Sequence, residues 1–249
     1  MLRFTIQMGG INSTRRRSDL FDRRVRESYP SYFIENVVLT HTDEELTSAS
    51  WSVLMSGNPT DEFKARKKDP EFQYISTLTW FYDTFYNKFF EVCPDVKPMF
   101  ANVSIVHQGK LLATVIGSAL NSMRKPAVLR KKLLELAKGH NGKGVKAAHY
   151  GGMGSALIWS LELVLGKTIL DEATKTAWIR MYSFMLTIMV PEAVSFEMGF
   201  VLRDIEAPKE SNGVTLHTLQ SEMSYLRGLT FSKSFGYSSS KVDRYRDSK

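Results

Sequence analysis

LAKGHNGKGVKAAHY, residues 136 to 150, decides how this chain is read. Leu129, Leu133, Leu136 and His140 recur at spacings of four, three and four, which puts them on one face of a helix with Lys131, Lys132 and Lys138 off the stripe. The glycines at 139, 142 and 144 then stop that helix, and Val145 starts a new apolar run. A lone imidazole therefore closes an apolar stripe at a helix end. Such a site suits a metal that brings its own hydrophobic body, which points to haem; a hydrogen-bonded core histidine is the alternative that the stretch leaves open.

Outward from that stretch, helices continue on both sides. From about Lys146 to Leu165 one face carries Tyr150, Met153, Leu157, Leu161 and Val164. A second long helix runs from about Asp171 beyond Val190 with Trp178, Met181, Met185 and Ile188 inward, and Pro191 should kink or end it. Trp159 and Trp178 read as core, and the eleven methionines as gap-fillers. On the N-terminal side, Pro126 sits just inside the start of the helix that ends at His140. A further helix spans about Ser104 to Asn121, and Pro94 opens a short turn ending at Phe100. The aromatics dense between Phe72 and Phe90 read as core. Thr42 to Glu45 reads as a capping box for a helix containing Leu46, Ser50, Trp51 and Leu54, closed by Gly57, Asn58 and Pro59. Thr60 to about Pro70, charged and bounded by breakers, reads as a surface insertion with room for one helical turn. No alternating strand pattern and no internal repeat is present, so the class is all-α.

The 249 residues are 43% hydrophobic and 24% charged, enough for a sizeable core. No apolar run approaches the roughly 18 residues needed to cross a bilayer, which argues against an integral membrane segment. Cys93 is the only cysteine, excluding an internal disulfide and a cysteine-built zinc site and favouring a reducing, cytoplasmic setting. The net charge of +7 is concentrated at the ends, with seven Arg against three acids in residues 1–34. A nearly neutral body with a basic arm does not read as a nucleic-acid-binding face. Residues 1–37 read as a basic flexible arm, or alternatively as an organelle-targeting segment, since no acid precedes Asp19. Residues 201–249 read as an extension with one amphipathic helix (Leu216, Leu219, Met223, Leu226) and a Ser-rich disordered tail.

The order of helices, the Ser50-Trp51 pair and above all FYNKFFEVCPDVKPMF (Phe85 to Phe100) resemble the globin family, in particular single-domain bacterial haemoglobins and the globin part of flavohaemoglobins. The resemblance covers roughly residues 38–200. It implies a globin fold, a 3-on-3 helical sandwich, with N- and C-terminal extensions and an insertion after the first helix. It also implies haem b, with His140 as the iron ligand and Phe100, Leu112, Leu136 and Val145 against the porphyrin. The second ring nitrogen of His140 is then expected to donate to a carbonyl of the preceding turn, that of Leu136. Tyr86, fourteen residues before Phe100, would lie over the opposite, distal face.

Two neighbours compete for the second distal position. Gln108 shares its face with Leu112, Val115 and Ala119, whereas His107 shares its face with Leu111, Thr114 and Ser118. The more apolar stripe should face the cofactor, which favours Gln108, and Gly109 agrees, because many globins place a glycine there to let two helices cross closely. His107, if inward, would bind iron directly in the absence of gas. Tyr150 lies ten residues after His140, the separation at which flavohaemoglobins place a tyrosine near the proximal histidine; their partnering glutamate falls one residue from Glu192.

A phenol and a carboxamide above an open iron position would hold O2 tightly, which suits chemistry on the gas or sensing better than delivery. The resemblance implies nitric oxide dioxygenation, with Tyr86, Gln108 and Tyr150 as the working residues and a separate reductase, because about fifty residues after the globin region are too few for flavin and nicotinamide domains. The alternative is a haem-based gas sensor or interaction module that signals through its terminal extensions.

Overall fold

The computed structural model describes residues 11–199, with side chains from Arg17 onward. Among the described residues there is no strand. The elements are α1 (Ile11–Glu27), α2 (His41–Ser56), α3 (Asp61–Arg66), α4 (Thr77–Val92), a 3-10 helix (Pro94–Phe100), α5 (Ile105–Leu120), α6 (Pro126–Asn141), α7 (Ala147–Leu165) and α8 (Glu172–Glu197). The all-α expectation therefore holds.

Local chemistry sets the ends of these helices. The side chains of Ser76, Ser104 and Asp171 accept from first-turn amides and cap α4, α5 and α8. The 3-10 helix and α6 each open on a proline, where the missing amide has no partner to lose. Gly57, at φ 67°, closes α2 in the left-handed conformation.

α8 is the hub of the core and packs against α1, α2, α6 and α7, while α4 packs against α2, α5, α7 and the 3-10 helix. Trp178 of α8 is fully buried and donates its indole N–H to Ser50 Oγ at 2.9 Å, so the one polar atom of that ring is satisfied inside the core. Trp51 stands edge-on to both Phe81 and Trp178, at 6.0 and 5.9 Å between ring centroids. A methyl group at Gly109 would overlap the Tyr82 ring, so glycine is what lets α5 cross α4 this closely.

The structure departs from the sequence expectations at five places. The capping box is Thr40 with Asp43, two residues earlier than Thr42 to Glu45; Asp43 is buried because Arg180 Nε donates to both its oxygens, at 3.0 and 3.1 Å. The insertion at Thr60 is tied to the body, with Thr60 Oγ1 donating to the Val164 carbonyl and the Phe63 ring packed against Phe72 and Trp80. Trp159 is 43% exposed with Lys88 over its ring, so it is not core. Pro191 does not end α8, which continues to Glu197.

The fifth departure is the arm. Phe21 of α1 is 1% exposed, Tyr32 donates to the Gly151 carbonyl at 3.0 Å, and the Ile34 amide donates to Ser183 Oγ at 3.1 Å. Phe21, Val25 and Tyr29, spaced by four among arginines, face the core, while Leu20 stays exposed. The amphipathic stretch at Leu216, Leu219, Met223 and Leu226 lies outside the described residues. Among the described residues no single helix is long and apolar enough to cross a membrane.

Candidate functional site

Two clusters form around the residues singled out in the sequence. The first is built on the last turn of α6. Gly142 and Gly144 turn the chain sharply there, and the Val145 amide returns to the His140 carbonyl at 3.3 Å. That turn brings α7 back across the end of α6, so the Tyr150 hydroxyl meets His140 Nδ1 at 3.2 Å, with the rings 5.8 Å apart and tilted by 42°. The Leu136 carbonyl was the expected partner of Nδ1; the phenol from the next helix stands there.

Burial holds the His140 pKa down to about 4, and the Lys143 ammonium adds to the effect. The ring is therefore neutral near pH 7. When Nδ1 carries the proton toward Tyr150, Nε2 offers a lone pair, which is the donor a metal requires. Burial, with the Glu192 carboxylate second, pushes the Tyr150 phenol well above its usual pKa, so it stays protonated. Because α8 runs on through Pro191, Glu192 is carried to this cluster, where its Oε1 accepts from Asn141 Nδ2 at 3.4 Å.

The second cluster is aromatic. Tyr86 on α4 is buried among Phe85, Phe90 and Phe100, with centroids 4.9, 6.0 and 5.6 Å away. Phe100, at the end of the 3-10 helix, also meets Phe89 and Phe90 at 6.4 and 5.3 Å. Burial raises the Tyr86 phenol strongly, and it too is a hydrogen-bond donor at any ordinary pH. Leu112 is buried, whereas Leu136 and Val145 are half-buried at the rim of the core. Gln108 is half-buried and His107 is exposed, so the more apolar stripe of α5 is the one turned inward.

The clusters are joined through the 3-10 helix. Asp95 Oδ2 lies 3.0 Å from Lys146 Nζ and 3.0 Å from Nε2 of His149, a buried ring at the start of α7. His149 Nδ1 accepts from the Lys146 amide at 3.1 Å, so the proton sits on Nε2 and is donated to Asp95. The segment bearing Phe100 is thereby fastened to the segment bearing Tyr150.

One member of the first cluster, Asn141, was poorly visible in the sequence. Asn141 reads as a turn residue after His140. Glu192 does have a signal: the inward stripe of α8 runs 178, 181, 185, 188, and four more residues reach 192.

The globin family model matches residues 83–189 of the chain. The chain is also similar, at 20% identity, to the solved structure of an engineered carbene transferase from Rhodothermus marinus, provisionally named a nitric oxide dioxygenase. That likeness covers 64% of this chain and 97% of the other, with a TM-score of 0.47.

Proposed function

Because the chain carries a globin domain at residues 83–189, a family that binds haem and diatomic gases, we propose that it binds haem b through His140 Nε2 and acts on O2 and nitric oxide. The observation that carries this reading is the half-buried His140 ring, its pKa held down to about 4, with Nδ1 held by Tyr150 at 3.2 Å. That is the donor chemistry an iron porphyrin needs from a protein.

Phe100, Leu112, Leu136 and Val145 supply apolar contact to the porphyrin. Haem, when bound, supplies an iron centre that takes a diatomic gas and passes electrons. The protein's part is positioning. Tyr150 fixes the His140 ring and, by accepting from Nδ1, makes Nε2 a stronger donor. Tyr86 and Gln108 donate hydrogen bonds to a polar gas on the other face, each on the order of 1.5 to 3 kcal/mol when the acceptor carries charge. Such retention favours turnover, in which NO, O2 and one electron give nitrate, over delivery. The electron comes from a separate reductase.

Optical spectra of the purified protein, loaded with haem and compared in ferric, deoxy and carbon monoxide forms, test the reading. A five-coordinate deoxy spectrum is expected. Colourless protein, or His140→Ala protein that keeps its pigment as firmly as wild type, overturns it.

A gas sensor is the second reading, and one contact favours it. Glu197 accepts from the Ala147 amide at 2.7 Å, at the head of α7, and lies 3.6 Å from Arg24 of α1. Through Glu197 of α8 the N-terminal segment is thus linked to the element that carries Tyr150. Under this reading, removal of residues 201–249 abolishes a partner interaction and leaves nitric oxide consumption intact; consumption lost with the tail would contradict it.

A further inference from the structure

Outside both clusters, α4 and α7 leave a surface cleft of about 250 Å³ between them. Asp83, Asn87 and Glu91 recur every four residues along its α4 wall, with Thr84 and Lys88 beside them, and Trp159 and Leu163, also four apart, form the α7 wall. Tyr74, from the chain ahead of α4, completes the lining. None of these residues belongs to the clusters around His140 and Tyr86.

The polar groups of the cleft are set in place. The Tyr74 hydroxyl and, at 3.0 Å, Asn87 Nδ2 both donate to the same oxygen of Asp83, Oδ2. Among the described residues Oδ1 takes no donor, so a half-buried carboxylate held by two bonds offers one open acceptor to the cleft. Lys88 Nζ meets Glu91 Oε1 at 2.6 Å and stands 5.0 Å from the centre of the Trp159 ring. One ammonium against two carboxylates leaves the cleft negative by one charge.

That combination selects a ligand class. The Trp159 ring, 43% exposed, and the Leu163 side chain offer contact to an apolar body, and the indole also favours a nearby cation. An anion would be repelled by Asp83 and Glu91, and a neutral body would leave Asp83 Oδ1 to water. The volume lies below the roughly 300 to 1,000 Å³ of drug-sized sites, so the ligand is small.

We propose that this cleft binds a small organic monocation, an aryl- or alkylamine, whose ammonium donates to Asp83 Oδ1 while its apolar body lies against Trp159 and Leu163. The site stands apart from the haem reading and is tested apart from it.

The test is titration of the isotope-labelled full-length protein with tyramine, followed by nuclear magnetic resonance at the indole N–H of Trp159, a signal that Trp159→Phe identifies. A saturable shift with a dissociation constant on the order of a millimolar is expected. Tyrosol, which carries a hydroxyl where tyramine carries its ammonium, should bind roughly tenfold more weakly. Asp83→Asn, which keeps the shape of the side chain, should lose the same factor for tyramine and none for tyrosol. The tyrosol comparison is made on the wild-type protein and needs no variant to fold.

Any of three results overturns the proposal: no saturable shift of the Trp159 signal with tyramine, equal affinities for tyramine and tyrosol, or tyramine binding unaltered in folded Asp83→Asn.

Discussion

The cluster around His140 and the cluster around Tyr86 place their key atoms by different physics. His140 is set by directed bonds, with Tyr150 on Nδ1 and Asn141 and Glu192 linked behind it. Tyr86 is set by rings, with Phe85, Phe90 and Phe100 against it and Phe89 and Phe90 against Phe100, in pairwise edge and tilted contacts. A packed ring keeps its place when it loses an oxygen, because the contacts that locate it are apolar. An imidazole held through a hydrogen bond does not keep its chemistry when the partner atom goes. The first cluster should therefore be sensitive to single atoms, and the second to volume.

The largest expected effect is that of His140→Ala, which removes the only ligand proposed for iron. Haem should be absent from the purified variant by its Soret absorbance, and added imidazole should restore part of it. Tyr150→Phe comes next: it deletes one oxygen from the bonded cluster, and haem should leave roughly ten- to a hundredfold faster. Equal haem-loss rates in Tyr150→Phe and wild type would erase the contrast between the clusters.

Tyr86→Phe deletes the same atom from the packed cluster. O2 dissociation should quicken about tenfold, the loss of one hydrogen bond of about 1.4 kcal/mol, while apoprotein stability changes by less than about 1 kcal/mol because the ring remains. A large loss of apoprotein stability would show that the hydroxyl, and not the ring, places this residue.

The smallest effect concerns the tie between the clusters. The His149 ring, then the Lys146 ammonium, hold the Asp95 carboxyl down to about 2, below the ordinary 3.8. A lowered carboxylate pKa stabilises the fold above the ordinary value, and that contribution is lost as pH falls toward the folded-state value. The difference in melting temperature between wild type and Asp95→Asn should thus be present at neutral pH and close between about pH 4 and 2. A difference that stays constant across that window would mean that the carboxylate adds nothing to the tie.

How much of this was legible in the chain depended on the kind of signal. The helical stripes, the prolines at 94 and 126 and the glycine at 109 act locally, so they can be read residue by residue. The inward preference of Gln108 over His107 followed from comparing two stripes of α5, and the exposures agree. Pro191 misled, because a proline inside a helix ordinarily breaks it. Trp159 misled in the opposite sense, as a large ring assumed to be core that instead lies under Lys88 at the surface. The arm misled because the few apolar residues of its stripe, Phe21 and Val25, sit among arginines, and Tyr32 beyond them is ordered by what it meets on α7.

That last contact bears on how the protein can be cut. Tyr32 reaches across α7 to a spot where Gly154 leaves no room for a side chain, between the Tyr32 hydroxyl and the Tyr182 ring. A fragment starting at residue 38, where the sequence invites a boundary, would lose that stopper together with Phe21. Two helices of the body would then have bare flanks, and such a piece should clump or melt early however intact its haem cleft.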